Sequence, residues 1–129
     1  MLLSAPPSRA GAPAQEAEGD VVIWGLGTCD ACRRALREAR ATGADAVLRD
    51  VRAERMSEAL RARAAAAFGD ALVNRRSATW RGLNDAARAM PPAALIGAHP
   101  AVMKRPLIEA HGALHLGWDE AVRRAVLPD

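Results

Sequence analysis

The sequence is poor in aromatic residues, lysine and cysteine. It has no tyrosine, one phenylalanine and three tryptophans, so aliphatic side chains must supply most of any core. Two cysteines in 129 residues exclude a disulfide-stapled secreted domain. No run approaches the about 20 apolar residues of a membrane span, and the first twenty residues lack the pattern of a secretory signal. These absences indicate one small soluble domain, which we expect in the cytoplasm.

Lysine occurs only at Lys104, so the basic residues are almost all arginines, and the formal net charge is +3. Acidic residues are interspersed along the chain rather than segregated, as at Glu38, Asp45 and Glu54. A bias towards Arg and Ala is typical of a genome composition effect. We therefore expect a well-solvated surface, with no direct nucleic-acid contact and no membrane partner.

Periodicity places the ordered part of the chain after residue 19. Residues 1–19 are rich in Ala, Pro, Gly and Ser, which predicts a disordered tail ahead of one domain over 20–129. Val21–Gly25 is an apolar run that predicts a buried strand, a helix follows to about Ala41, and 46–51 predicts a second strand. These three elements form a βαβ unit with parallel strands.

The second half of the chain predicts a helical insertion and a closing hairpin. The expected elements are a helix from Ser57 to about Phe68, an interrupted helical segment over 71–99, a β-hairpin over 107–117 and a helix capped by Asp119. The predicted order is therefore βαβ, helical insertion, ββα.

Cys29 and Cys32 stand where the first predicted strand hands over to the first helix. The unpaired N–H groups of a first helical turn stabilise a thiolate, which is the attacking species in thiol chemistry. Arg33 and Arg34 lie within a turn and add positive charge. Cys32 follows one turn later on the same face, where it can resolve a mixed disulfide. The pattern predicts a redox pair in which Cys29 attacks and Cys32 resolves.

The cysteines have two other interpretations. They can be unreactive small hydrophobes in the core, or they can join His111 and His115 in a zinc site. The zinc site is disfavoured because 78 residues separate the cysteines from the histidines, which themselves flank a hairpin turn. We therefore expect no metal.

Three motifs resemble those of the arsenate reductase (ArsC) family and its Spx, MgsR and YffB relatives. The run C-D-A-C-R-R-A from Cys29 resembles the family's active-site helix, and H-P-A-V-M-K-R-P-L-I over 99–108 resembles its proline loop. The run L-V-N-R-R-S-A-T-W-R-G-L over 72–83 is similar to a stretch of the YffB-like branch. The resemblance covers about 21–127. It implies an α/β fold of the thioredoxin and glutaredoxin type with a helical insertion.

The resemblance also assigns roles. Cys29 matches the nucleophile, Arg105 matches an arginine that stabilises a thiolate or a bound oxyanion, and Pro106 matches a cis proline beside the active site. With the resolving thiol these give a catalytic set of Cys29, Cys32 and Arg105. The expected substrate-binding residues are Thr28, Asn74, Arg76 and Pro106.

The leading hypothesis is a thiol-disulfide oxidoreductase of the ArsC/YffB type. We expect a monomer with no bound cofactor, which takes electrons from glutathione and acts on glutathione or another small thiol or disulfide, with glutaredoxin as a further partner. At the position of Cys32, many YffB-like members carry an apolar residue instead.

Two alternatives remain open. In the first, Cys29 attacks arsenate and glutathione with glutaredoxin reduces the adduct; arsenate reductases proper use further arginines, one of which falls near Asn74 and another near Gly117. In the second, the protein is a redox-sensing regulator similar to Spx, which binds the RNA polymerase α subunit. The Spx regulators share the CxxC but lack the N-x-R-x-x-T-W stretch.

Overall fold

The computed structural model describes residues 19–127. Its helices and strands follow the predicted order and are listed here with their bounds: β1 (Val21–Gly25), α1 (Asp30–Ala41), β2 (Ala46–Asp50), α2 (Glu58–Phe68), α3 (Ala78–Arg81), α4 (Asp85–Arg88), α5 (Pro92–Ala98), β3 (Leu107–Ala110), β4 (Ala113–Leu116) and α6 (Glu120–Val126). Short 3-10 turns occupy Gly69–Leu72 and Pro100–Val102. The predicted tail over 1–19 lies, apart from Gly19, outside the described residues, so the division into tail and domain stays a prediction.

The four strands form one mixed sheet in the order β2-β1-β3-β4. β1 pairs parallel with β2, as the βαβ pattern predicts, and antiparallel with β3, while β3 and β4 form the predicted hairpin. In the β1–β2 register Gly25 lies opposite Asp50. The carboxyl ends of both parallel strands therefore meet at one edge, which is also where α1 begins.

Helix α1 buries one stripe against the sheet. Cys32, Ala35 and Ala39 are buried, and the half-buried Leu36 packs against the same side of the core. Small side chains at the buried positions let the helix lie close to the strands. The chain then leaves the helix through Gly43, whose φ of +90° favours glycine.

Apolar side chains cover both faces of the sheet. Alternate residues of β1 divide between them: Val21 and Ile23 pack with α1 and α6, whereas Val22 and Trp24 pack with the helical insertion. The result is three layers, with the sheet between α1 and α6 on one side and α2 to α5 on the other. Within residues 19–127, no helix combines the length and the apolar character needed to cross a membrane.

The insertion is tied to the loop that precedes β3. Val73 and Met103 form an isolated antiparallel bridge, the Asn74 N–H donates to the Val102 carbonyl at 2.8 Å, and the Lys104 N–H donates to the Leu72 carbonyl at 2.8 Å. These bonds fix the segment just before Arg105 against the insertion.

Candidate thiol site

Cys29 lies in the short connection between β1 and α1. Its N–H donates to the Leu26 carbonyl at 3.0 Å, and its own carbonyl accepts from the Arg33 N–H at 3.0 Å, so Cys29 is the N-cap residue of α1. Its backbone is extended, with φ −84° and ψ 124°. The sulfur therefore lies beside the unpaired N–H groups of the first turn.

Several donors converge on the Cys29 sulfur. Partial burial pushes the pKa of this thiol up, but hydrogen bonds from the Cys32 N–H, the Cys32 thiol, the Ala31 N–H and the Arg105 guanidinium outweigh it, so the pKa lies below its ordinary value. Each donor favours the charged form of the sulfur. The expected effect of the helix N-terminus is therefore present, and Arg105 supplies the distant cation.

Cys32 has the opposite character. It is fully buried, and that burial, together with donation of its proton to Cys29 and the nearby Cys29 charge, raises the pKa of Cys32 to about 12. Both residues are free cysteines. The pair therefore consists of a more acidic thiol near the surface and a less acidic, buried thiol one helical turn later.

Gly25 makes room for this pair. A Cβ placed on Gly25 would collide with the sulfur of Cys32 and would lie 3.8 Å from the Arg105 Cβ. Gly25, the last residue of β1, therefore contacts Cys32 and lies next to the loop that carries Arg105.

Arg105 is held by its own loop. Its Nη1 donates to the carbonyls of Ala101 at 2.8 Å and Met103 at 3.4 Å, while its buried Nε has no hydrogen-bond partner within residues 19–127. The Arg105–Pro106 peptide bond is cis, as expected, and the Pro106 carbonyl accepts from the Gly117 N–H at 2.7 Å. The loop thus presents a fixed guanidinium to Cys29.

Two arginines predicted to help the thiolate do not reach it. Arg33 pairs with Asp30 at 2.5 Å on the exposed side of α1, and neither Arg33 nor Arg34 is among the main causes of the lowered pKa of Cys29. Both side chains are exposed on the side of α1 that faces solvent, whereas Cys32 lies on the buried side.

The predicted substrate-binding residues fall into two groups. Pro106 adjoins Arg105, and Thr28 is exposed immediately before Cys29. The Asn74 side chain accepts from the Arg76 N–H at 3.0 Å and so stabilises its own turn, and the exposed Arg76 side chain makes no hydrogen bond or ion pair within 19–127. The structure brings this turn to the loop of Arg105 without placing either side chain on Cys29.

Asp50 is a residue that sequence reasoning missed. Its carboxylate accepts from the Gly27 N–H at 3.1 Å and from the Arg52 N–H at 2.9 Å, which fixes the turn leading to Cys29. Burial opposes ionisation, but these bonds and the Arg52 charge lower the pKa of Asp50. Its position at the carboxyl end of a strand parallel to β1 is the signal that could have revealed it.

The histidines lie elsewhere. His111 is in the β3–β4 turn, and because Ala110 pairs with Val21, this turn is at the end of β1 opposite to Cys29. Its Nε2 forms a hydrogen bond with the Val126 carbonyl at 2.9 Å. His111 therefore cannot join the cysteines around one metal ion.

Strand, turn, helix-capping cysteine and adjoining cis-proline loop together define a thioredoxin-like α/β protein with a dithiol site. The chain belongs to the ArsC family, whose sequence model matches residues 24–126. This match includes the cysteine pair, the insertion and the proline loop.

Relatives of similar length agree with this assignment. The chain is 28% identical over 105 residues to an uncharacterized protein of Haemophilus influenzae, covering 78% of this chain and 92% of that one. Among solved structures, the YFFB protein has a TM-score of 0.73 at 26% identity, covering 84% of this chain and 99% of the other. An arsenate reductase (ArsC) related protein from Brucella melitensis has a TM-score of 0.61 at 28% identity, with 82% and 92% covered.

Proposed function

We propose that the protein is a thiol-disulfide oxidoreductase that uses Cys29 and Cys32 as a dithiol and is reduced by glutathione. The observation that carries the proposal is the opposed state of the two sulfurs: the pKa of Cys29 is lowered, whereas that of Cys32 is raised to about 12. A dithiol reductase needs one sulfur that ionises readily and attacks, and a second that stays protonated until the mixed disulfide has formed. Family membership supports chemistry of this class.

In the first step the Cys29 thiolate attacks one sulfur of a substrate disulfide. A bond forms between Cys29 and that sulfur, the substrate S–S bond breaks, and the second substrate sulfur leaves as a thiolate that takes a proton. The main-chain N–H of Arg105, which makes no hydrogen bond within 19–127, is available to the bound substrate. The mixed disulfide then lies beside the loop that carries Arg105 and Pro106.

In the second step Cys32 resolves the mixed disulfide. Once Cys29 is no longer a thiolate, one cause of the raised pKa of Cys32, the neighbouring negative charge, is removed, while burial of Cys32 remains. Cys32 attacks the Cys29 sulfur, the bond between Cys29 and the substrate sulfur breaks, and the proton of Cys32 passes to the departing substrate half, which leaves as a thiol. The protein is left with a Cys29–Cys32 disulfide, oxidised by two electrons, and two molecules of glutathione return it to the dithiol while forming oxidised glutathione.

The test is a disulfide-reduction assay coupled through glutathione and glutathione reductase to NADPH. We expect Cys29→Ser to lose activity on the order of 100-fold. Cys32→Ser retains the first step and accumulates a mixed disulfide on Cys29, which intact-protein mass spectrometry detects. In the wild-type chain, oxidised glutathione gives the internal disulfide instead.

The control is Cys32→Ala, which removes the second thiol without adding a hydroxyl and is expected to trap the same adduct. Full activity of Cys29→Ser would reject the proposal. An adduct that persists on Cys29 of the wild-type chain would reject the resolving role of Cys32 and leave a monothiol mechanism.

Arsenate is a second candidate substrate because the Arg105 guanidinium lies at the Cys29 sulfur, where an oxyanion would bind. Against efficient use of arsenate, the Arg76 side chain forms no bond that directs it to this site. Arsenate-dependent NADPH oxidation with glutathione and glutaredoxin measures this activity. A rate equal to background would reject it, and a rate lost in Arg105→Gln would support it.

A further inference from the structure

The positive charge of the chain is concentrated in one segment. Residues 71–106 contain six basic residues and a single acidic one, Asp85, whereas the remaining residues contain 12 basic and 14 acidic ones. The insertion with its following loop therefore carries +5, and the rest of the chain carries −2. Acidic residues are scarce within 71–106 and interspersed on either side of it, which corrects the expectation of an evenly mixed surface.

Four exposed arginines of the insertion form what we call the arginine patch: Arg75, Arg76, Arg81 and Arg88. Their guanidinium groups are held mainly by neutral partners. Arg81 donates to the Arg76 carbonyl at 2.6 Å, Arg88 donates to the Trp80 and Arg81 carbonyls at 3.2–3.3 Å, and the one carboxylate contact, Arg75 to Asp70, is long at 3.9 Å.

Several arginines outside the patch pair closely with carboxylates, while Arg40, Arg55 and Arg61 donate to backbone carbonyls. Arg33 pairs with Asp30, Arg123 with Glu38 at 2.8 Å, and Arg124 with Glu120 at 3.0 Å. In the patch, backbone carbonyls orient Arg81 and Arg88, and the Trp80 ring lies under Arg75 and Arg88. The only carboxylate contact of the four arginines within 19–127 is the long one to Asp70, so most of their charge is uncompensated. Fixed and unneutralised guanidiniums are suited to binding carboxylates.

The patch adjoins the dithiol site. Helix α3, which carries Trp80 and Arg81, packs against Pro100–Val102, and Arg105 donates to the Ala101 carbonyl within that turn. One short turn of chain therefore separates the patch from the guanidinium that contacts Cys29. A polypeptide whose disulfide is bound at Cys29 would therefore extend across the arginine patch.

We infer that the arginine patch is a docking surface for the acidic polypeptide segment that flanks the disulfide presented to Cys29. The inference rests on the proposed thiol-disulfide function and deepens it by giving the substrate class: a protein or peptide disulfide with neighbouring Glu or Asp residues. Carboxylates of the substrate meet the patch guanidiniums, and the attraction steers and orients the disulfide.

Nucleic acid fits the same surface less well. A single-strand binding site uses exposed aromatic faces as stacking platforms. Trp80 is the aromatic residue of this segment, but it packs against the core and has the guanidiniums of Arg75 and Arg88 over its ring, each 5.3 Å from the centroid. Its faces are therefore occupied by the protein's own cations.

Binding can be tested without chemistry. In a Cys29→Ser, Cys32→Ser background, fluorescence anisotropy measures the affinity for a short Glu-rich peptide, its Gln-substituted counterpart and a single-stranded oligonucleotide. We expect the Glu-rich peptide to bind about tenfold more tightly than the Gln peptide at low salt, and the difference to vanish at about 0.5 M salt.

Matched variants locate the interaction. Arg81→Gln with Arg88→Gln is expected to weaken Glu-peptide binding about fivefold and to leave the Gln peptide unchanged, while Arg81→Lys with Arg88→Lys largely retains it. The control removes the same charge from the opposite face of the sheet, as Arg37→Gln with Arg124→Gln, and should have little effect. Urea unfolding of each variant checks that the fold is retained.

In the active protein, the Arg81→Gln, Arg88→Gln pair should raise KM for an acidic peptide disulfide and leave the rate with a small neutral disulfide unchanged. Equal binding of the Glu and Gln peptides, equal loss in the control pair, or preferential binding of the oligonucleotide would each overturn the inference. Because binding is measured in a chain without either thiol, its failure is distinct from failure of the proposed reductase activity.

Discussion

The Cys32 sulfur lies in the space that a Cβ on Gly25 would fill. Gly25 ends β1, and Cys32 is in the first turn of α1, so this contact joins the strand directly to the helix that holds the nucleophile. The absence of a Cβ at Gly25 keeps the second sulfur beneath Cys29.

Gly25→Ala is therefore expected to displace Cys32. We expect a loss of about 2 kcal/mol in the free energy of unfolding, since a methyl group is forced into a filled space. Formation of the internal disulfide should slow as well, measured by quenched thiol labelling. The matched control is Gly82→Ala, where an added Cβ meets only ordinary contacts at 3.6–3.7 Å. Equal effects of the two substitutions would contradict the argument.

Arg105 is expected to add to the reactivity of Cys29 that the Cys32 and Ala31 donors provide. Iodoacetamide should alkylate Cys29 selectively at neutral pH, because the pKa of Cys29 is lowered and that of Cys32 is about 12. Arg105→Gln removes a hydrogen bond to the sulfur, so the pKa rises and the alkylation rate near pH 7 falls about fivefold. The rates of variant and wild type should converge at alkaline pH, where both are ionised.

Arg105→Lys is the control, since it keeps a cation but loses the planar fork, and an intermediate rate is expected. A pH–rate profile of Cys29 that does not change in Arg105→Gln would show that the N–H groups of the helix alone stabilise the thiolate.

Asp50 is expected to act as a positioning residue. Asp50→Ala leaves the Gly27 N–H without its acceptor, which should cost about 1 kcal/mol and loosen the turn before Cys29. Asp50→Asn keeps an acceptor and should restore most of the loss. Stability is read from urea unfolding, and the pH profile of Cys29 alkylation reports the turn itself. A shift of that profile in Asp50→Ala that Asp50→Asn reverses is the expected result; an unchanged profile would limit Asp50 to stability.

Glu38 links stability to pH. Its carboxylate accepts from Arg123 at 2.8 Å and from the Trp118 indole at 3.1 Å, and the Arg123 bond is the main reason that the pKa of Glu38 is lowered. A carboxyl with a lowered folded-state pKa stabilises the protein above its unfolded value and loses that effect as pH falls through the folded value. The stabilisation should therefore be complete at pH 7 and fade below about pH 4.5.

Glu38→Gln is expected to lower stability at pH 7 and to approach the wild type at about pH 3. Urea unfolding at the two pH values measures the difference in stability. Arg123→Gln should likewise lower stability at pH 7 and approach the wild type at about pH 3. A gap between wild type and Glu38→Gln that stays equal at both pH values would exclude this link.

Much of the fold follows from local patterns in the chain. Val21–Gly25 is apolar throughout because both of its faces are covered, and its strand was predicted with its exact bounds. The caps at Ser57 and Asp119 mark helix starts through side-chain oxygens that accept from Leu60 and Val122, as their residue types predict.

Part of the site was also predicted from local patterns in the sequence. Cys29 and Cys32 are three residues apart, so the helix alone fixes their relation, and spacing was enough to find them. Arg33 was wrongly included because charge is visible in a sequence while side-chain direction is not. Asp50 was missed because its role depends on the parallel pairing that sets it opposite Gly25.

The sequence by itself determined the order of strands and helices, the cysteine pair at a helix start and the scarcity of acidic residues over 71–106, since these depend on local geometry and composition. Only the tertiary structure decided which cation reaches the sulfur, why Gly25 lacks a side chain and where the arginines stand relative to Cys29. Those relations join residues far apart in the chain, and packing of the insertion and the Arg105 loop against the end of the sheet brings them together.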